Sequence, residues 1–330
     1  MKKLINSPEQ VVRDMLDGMV AAHPHLKKLP GTQVIVRSDA PVSGKVGLVS
    51  GGGSGHEPAH AGYVGKGMLD AAVAGEVFTS PTPDQVLEAI KAVNGGNGVL
   101  LIIKNYTGDV MNFEMAAEMA EAEGIRVAKV VVNDDVAVEN STHTTGRRGI
   151  AGTVFVHKIA GALASRGASL EEVEAVANKV IRQVRSMGMA LTPCIVPAAG
   201  TPGFQLGEDE IEIGLGIHGE PGVYRTKLMT AEETARTLLE RILEDLPLSS
   251  GEKVAVMING LGATPLMELY IVNKTVSQLL KERGIAVHRT FVGPYMTSLE
   301  MAGCSITLLK LDEELTDLLD APARTAAWNQ

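Results

Sequence analysis

Aromatic side chains are scarce in this chain. Phe, Trp and Tyr make up only 3% of its 330 residues, and there is a single Trp. Its interior must therefore be packed with Ala, Val, Leu, Ile and Met, which the total hydrophobic content of 45% supplies. Cysteine is nearly absent: Cys194 and Cys304 offer neither a disulfide framework nor zinc-ligand spacing, and both lie in apolar surroundings that suit buried thiols. Basic residues are in the minority, 30 against 39 acidic ones, and the net charge of −9 argues against a nucleic-acid-binding surface built on clustered Lys and Arg. No apolar run reaches the roughly 18 residues of a membrane span. The opening MKKLINSPEQ turns polar with no apolar segment behind its lysines, so a signal peptide is not expected and a reducing cytoplasm is.

Two familiar nucleotide motifs are missing as well. A P-loop needs Gly, four residues, then Gly-Lys-Ser/Thr, and the sixth position from Gly51 is His56. The dinucleotide pattern G-x-G-x-x-G fails at the same place, because Gly51 and Gly53 are followed by His56 where the third glycine belongs.

Glycine, by contrast, is abundant: 36 residues, about 11% of the chain, against the usual ~7%. It is densest in Leu48 to Gly65, LVSGGGSGHEPAHAGYVG. An apolar strand enters this stretch. Gly51, Gly52, Gly53, Ser54 and Gly55 then predict an open loop whose backbone N–H groups can approach a ligand. His56 and Glu57 follow, and Pro58 is suited to a first helical turn. Five small residues exceed what a tight turn with a surface histidine would need.

Along the chain, Ser7-Pro8-Glu9-Gln10 reads as a capped helix start. Pro83 to Val93, Val110 to Glu123, Val154 to Arg166, Leu170 to Met187, Thr230 to Leu246 and Pro265 to Gly284 read as helices. Ser169 with Glu172, and Thr230 with Glu233, have the spacing of capping boxes. Val34 to Arg37, Lys45 to Val49, Val99 to Ile103, Arg126 to Val132, Ile211 to Ile217, Lys253 to Ile258, Ala286 to Val292 and Ser305 to Leu309 read as strands. The run VLLII at 99–103 is apolar throughout, the pattern of a strand covered on both faces. Alternation of strands and helices predicts an α/β fold. Two α/β domains are expected: residues 1–187 around a doubly wound, mostly parallel sheet, and residues 188–330 around a smaller mixed sheet. Polar residues cluster after the strands, where open α/β sheets bind ligands, so His56, Lys104 and Asp109 should share one edge. Asn140 to Gly149, with His143, Arg147 and Arg148, reads as a solvated loop in preference to a lid.

Two similar triplets stand out. His56-Glu57-Pro58 is contiguous, and His218-Gly219-Glu220-Pro221 has one glycine inserted; each follows a strand and a glycine-bearing turn. Histidine there can serve as base, nucleophile or metal ligand. With no HExxH or HxH spacing, zinc is not expected.

The motifs SGGGSGHEPAH, KNYTGD, NSTHTTGRRGIAGT, IGLGIHGEPG and MINGLGATPLMELY resemble the dihydroxyacetone kinase family, specifically its K subunits or K domains, from about Asn6 to Leu319. The resemblance implies that the histidine of GIHGEPG, His218, holds the ketone carbon of dihydroxyacetone in a hemiaminal bond. His56 and Asp109 would flank the substrate, and Gly53, Ser54, Gly55 and Lys104 would contact it. Neutral imidazole can add to a carbonyl, which distinguishes the ketone from glycerol. A carboxylate or imidazole near the terminal hydroxyl can take its proton during phosphoryl transfer; Asp109 is the natural base, with His56 assisting, and which of the two accepts the proton stays open. The resemblance further implies a homodimer with no cofactor of its own and no metal. ADP and magnesium would reside on a separate L subunit, recharged by a phosphotransferase-system protein and ultimately by phosphoenolpyruvate, because the chain stops near residue 330 without the helical nucleotide-binding domain of one-piece kinases. A coactivator that binds dihydroxyacetone and reports it to a transcription regulator is the alternative; His56 and Asp109 beside His218 favour the kinase subunit, since a sensor needs only capture. A dinucleotide-dependent oxidoreductase is disfavoured by the failed glycine pattern.

Overall fold

The computed structural model describes residues 1–141 and 144–330. After a 3-10 turn at Pro8–Gln10, α1 (Val11–Ala22) leads into β1 (Leu26–Lys28), β2 (Val34–Arg37) and β3 (Gly47–Ser54). A second 3-10 turn (Ala61–Tyr63) and β4 (Gly65–Lys66) precede β5 (Ala71–Val77), α2 (Pro83–Val93), β6 (Val99–Lys104), α3 (Thr107–Ala122) and β7 (Val127–Val132). Two helices follow, α4 (Thr153–Ser165) and α5 (Leu170–Gln183). The remainder is β8 (Val184–Ala190), β9 (Glu210–Ile213), β10 (Tyr224–Lys227), α6 (Ala231–Asp245), β11 (Lys253–Gly260), α7 (Leu266–Glu282), β12 (Ala286–Gly293), β13 (Gly303–Leu311), α8 (Glu313–Asp320) and β14 (Arg324–Thr325).

The fold is α/β, with two six-stranded sheets ordered β1-β2-β5-β3-β6-β7 and β10-β9-β8-β13-β11-β12. In the first sheet β5, β3, β6 and β7 run parallel, while β1 and β2 add antiparallel edges. The second sheet is mixed: β11 and β12 pair in parallel, and the other pairings are antiparallel. The expected division at residues 187/188 falls inside β8.

Strand β6 shows why a continuous apolar run forms a central strand. Leu100 and Ile102 enter one core with Phe155 and Ile159 of α4 and Val173 and Val180 of α5. Leu101 and Ile103 enter another with Val86 and Ile90 of α2 and Phe113 of α3. Each such side chain contributes roughly 1.5–3 kcal/mol by leaving water. Leu309 and Leu311 of β13 and Met257 of β11 join the same core as α4 and α5, so these helices form a layer between the two sheets. Helix α4 is accordingly buried nearly all round, from Thr153 to Ala162. On the outer face of the second sheet, Val254, Val256, Ile306 and Leu308 pack against Leu238 and Leu239 of α6 and Val276 and Leu280 of α7.

The boxes expected at Ser169/Glu172 and Thr230/Glu233 form in full, with both reciprocal hydrogen bonds. Cys194 and Cys304 are buried free thiols. Several expectations are corrected. The helix read through Met187 ends at Gln183, because Val184–Ala190 pairs with β13 as a strand; a long-range ladder overrides local helical spacing. The Ser7 side chain makes no cap bond, and the first turn is 3-10. Strand β9 stops at Ile213. No helix starts at Pro58; the chain passes through turns into Ala61–Tyr63. Among the described residues no helix is long and apolar enough to cross a membrane.

The glycine run is corrected in an informative way. It is not an open loop but the buried second half of β3, paired in parallel with β5 from Val49 to Ser54. A Cβ on Gly51 would lie 2.3 Å from the Val73 carbonyl oxygen, and one on Gly53 2.7 Å from the Phe78 Cα. Gly51 and Gly53 are there because the neighbouring backbone approaches too closely for any side chain.

Candidate active site

The carboxyl ends of β3 and β6 deliver His56 and Lys104, and α3 opposite them starts at Thr107 and carries Asp109 in its first turn. From the other sheet, the turn after β9 brings His218, and the segment after β12 brings Thr297 to Leu299. The ring centroids of His56 and His218 lie 4.8 Å apart, edge to face. His56, Lys104 and Asp109 thus share one edge, as expected from the sequence, and His218 joins them from the second sheet.

His56 is fully buried, and its Nδ1 lies 2.8 Å from the Thr297 carbonyl oxygen. A carbonyl only accepts, so the proton sits on Nδ1 and Nε2 carries the bare lone pair. That Nε2 is buried with no hydrogen-bond partner among the described residues. Burial, reinforced by the Lys104 charge, pushes the His56 pKa down to about 3, so the ring is neutral at physiological pH.

Lys104 and Asp109 form a buried pair, Nζ to Oδ2 3.6 Å. Burial pushes the carboxyl up and the ammonium down, and each is partly held in its charged form by the other. Ser80 donates to Asp109 Oδ1. Gly52 makes this pair possible: a Cβ there would stand 2.5 Å from Lys104 Nζ and 3.3 Å from Asp109 Oδ2.

The two triplets share a local device. The Glu57 carboxylate accepts from the Gly55 N–H at 3.0 Å, and the Glu220 carboxylate accepts from the His218 N–H at 2.9 Å. In each, the glutamate accepts from the backbone N–H two residues upstream; that donor is the residue before His56 in the first turn and His218 itself in the second. The segment after β12 then ties the histidines together: the Thr297 carbonyl holds His56, and the Ser298 hydroxyl donates to the Ile217 carbonyl at 2.7 Å, directly before His218. Asn259 at the end of β11 fixes that segment, its Oδ1 accepting from Tyr295 and Met296.

Among the other candidates, Gly53 lies in the β3–β5 ladder opposite Gly75. The Ser54 hydroxyl donates to the Gly75 carbonyl at 2.7 Å and the Gly55 N–H to Glu57, so both donors are engaged within the protein. The reading of a solvated loop holds at Asn140 and Thr145, which are exposed, and fails at its end: Arg148 is fully buried, bonded to Asp135 at 2.7 Å and to the Gly214 carbonyl at 2.8 Å, with Glu220 at 3.4 Å. Arg147 pairs with Asp245. His143 lies outside the described residues. Among those described, no group of three or more His, Cys, Asp or Glu could hold a metal.

Sequence reasoning missed three contributors. Gly52 reads in the sequence only as part of an open loop, not as the residue that makes room for the Lys104–Asp109 pair. Tyr106, quoted only as part of KNYTGD, sets its ring 4.3 Å from that of His218. Phe78 stacks on His56 at 5.2 Å and meets His218 edge-on at 5.4 Å. A faint signal was available: in a chain with so few aromatics, one placed just after the strand beside the glycine run is conspicuous.

Comparison with known proteins gives the family. The Dak1 domain pattern matches residues 17–327. The chain is 60% identical over 330 residues to the "PTS-dependent dihydroxyacetone kinase 1, dihydroxyacetone-binding subunit DhaK" of Listeria innocua, covering 99% of this chain and 100% of that one. It is 46% identical to the PEP-dependent DhaK subunit of Escherichia coli, covering 100% and 99%. Among solved structures it resembles the dihydroxyacetone kinase operon co-activator Dha-DhaQ, with a TM-score of 0.91, 39% identity and coverage of 96% and 98%. It also resembles the dihydroxyacetone kinase of C. freundii, with a TM-score of 0.91, 37% identity and coverage of 99% of this chain but 60% of that one.

Proposed function

The chain belongs to the Dak1 domain family, and from that premise we propose that it is the dihydroxyacetone-binding subunit of a phosphotransferase-system-dependent kinase. The observation that carries the reading is the meeting of His218 and His56, ring centroids 4.8 Å apart, beside the buried Lys104–Asp109 pair. In the proposed capture step, a ring nitrogen of His218 bonds to the ketone carbon, the carbonyl π pair moves to oxygen, and the imidazole proton ends on that oxygen as a hydroxyl. The product is a neutral hemiaminal. Glycerol, lacking the carbonyl, is not held in this way. Lys104 and the Gly53 backbone steady the substrate oxygens.

In the transfer step, the terminal hydroxyl oxygen attacks the terminal phosphorus of a nucleotide carried by a separate L subunit. The new O–P bond forms as the bond to the ADP leaving group breaks, and the hydroxyl proton passes to this chain. Asp109 is the preferred acceptor: burial raises its carboxyl towards the working pH, which makes it a stronger base. The bare Nε2 of His56 accepts a hydrogen bond from the substrate and assists. ADP and magnesium belong to the L subunit, itself recharged from phosphoenolpyruvate through a phosphodonor protein. A homodimer and a cytoplasmic location complete the reading.

Capture is tested with dihydroxyacetone labelled with ¹³C at its carbonyl carbon. The bound signal should move into the tetrahedral region with the wild-type chain and stay a carbonyl with His218→Ala; an unmoved wild-type signal refutes capture. Similarity to the co-activator Dha-DhaQ supports a second reading, a sensor that captures the ketone for a transcription regulator. Purified chain should be inactive with ATP, magnesium and dihydroxyacetone, and product should appear when the L subunit and its phosphodonor are added. Capture with no turnover in the complete system would favour the sensor.

A further inference from the structure

We propose that Phe78 is the specificity-determining wall of this site, setting the length of the ketone that His218 accepts. The inference rests on the capture reading above. The Phe78 ring lies nearly parallel to His56, 15° between planes at 5.2 Å, and meets His218 at 90° and 5.4 Å. Tyr106 closes another side of His218 at 4.3 Å, and His56 a third at 4.8 Å. A ketone carbon bonded to His218 carries two substituents, both CH₂OH in dihydroxyacetone. A further carbon on the side of these rings would be placed against one of them.

Of the three, Phe78 is the one that can yield. His56 is entirely buried and Tyr106 is 5% exposed, whereas Phe78 is partly exposed. The fold goes to some length to put it there. Phe78 has φ 58°, the left-handed region that aromatic residues rarely occupy, and such conformations gather at functional sites. It is held by its N–H, which donates to the Ser54 carbonyl at 3.0 Å. Two glycines clear its space: a Cβ on Gly53 would lie 2.7 Å from the Phe78 Cα, and one on Gly55 2.8 Å from its ring Cε1. The glycine run therefore fits the backbone and ring of this one residue as well as the strand beside it.

The test compares capture of dihydroxyacetone with capture of erythrulose, the ketose one carbon longer, by titration of the labelled carbonyl signal in wild type, Phe78→Ala and Phe78→Leu. A pocket wall of this size discriminates one carbon by roughly 10–200-fold. Phe78→Ala should shift the ratio of affinities towards erythrulose by about 10-fold or more, with Phe78→Leu between it and wild type. Phe78→Leu alone decides the matter if the alanine variant does not fold, as judged by circular dichroism. Equal losses for both ketones, with an unchanged ratio, would leave Phe78 a structural residue and overturn the proposal. A wild-type chain that captures neither ketone overturns the underlying reading, and this inference with it.

Discussion

His56 and Asp109 occupy similar positions beside the proposed substrate but are prepared differently. His56 is fixed as one tautomer by the Thr297 carbonyl and kept neutral by burial. Asp109 is kept near a buried ammonium that offsets part of its desolvation. The division of labour predicts the outcome of Asp109→Asn. An amide oxygen still accepts from Ser80, so local geometry is conserved, but the group no longer takes a proton. Capture of labelled dihydroxyacetone should persist, while turnover in the reconstituted system drops by roughly 10²–10⁴. Near-normal turnover would move the base role to His56; lost capture would make Asp109 a substrate holder. His56, Asp109 and His218 were legible because each sits in a short motif at a strand or turn end. Arg148 was not. Its polar neighbours in sequence suggest a solvated loop, and its bonds to Asp135 and the Gly214 carbonyl, with Glu220 close by, are set by tertiary contacts that no local pattern records.

Glycine has opposite meanings in different elements. In β3 it is compelled by close approach, and Gly52, with φ 153°, faces Lys104 and Asp109. Gly52→Ala forces that pair apart, so both capture and turnover should be lost, with a destabilisation of about 1–3 kcal/mol from overpacking. Gly18 lies on the exposed face of α1 with nothing within 4 Å of its missing Cβ. Gly18→Ala should stabilise the protein by roughly 0.5–1 kcal/mol, by restricting the unfolded chain, and leave capture unchanged. Urea denaturation of the two variants checks the signs, and stabilisation by Gly52→Ala would contradict the crowding described. Glycine density does lead to the place where His56, Lys104 and Asp109 meet, but not for the reason the sequence suggests. An open loop and a crowded strand need the same residue, and only β5 and the chain around Phe78 distinguish them. The end of α5 is hidden in the sequence for a related reason, since Val184–Ala190 becomes a strand only by pairing with β13.

At the scale of the whole molecule, the layer of helices between the sheets buries titratable groups together with the core. His60 and His157 face each other there, Nδ1 to Nε2 2.9 Å, and among the described residues neither is paired with a carboxylate. Burial first, and then the Lys104 charge, lowers both; His157 falls to about 3. Between the unfolded value of about 6.5 and that folded value, the unfolded chain holds a proton on His157 that the folded chain does not. The contribution of His157 to stability is therefore fully present above about pH 6.5 and is lost progressively as the pH falls towards about 3. Burial raises Asp109, Asp134 and Asp135, which act in the opposite sense over part of that range, so the wild-type slope alone does not isolate the histidines. His157→Gln does, because glutamine can still exchange a hydrogen bond with His60 but does not titrate. The slope of unfolding free energy against pH, taken from urea denaturation around pH 5.5, should correspond to about one proton fewer in the variant than in wild type. Parallel slopes would mean that His157 titrates alike in both states, and that the layer between the sheets admits water.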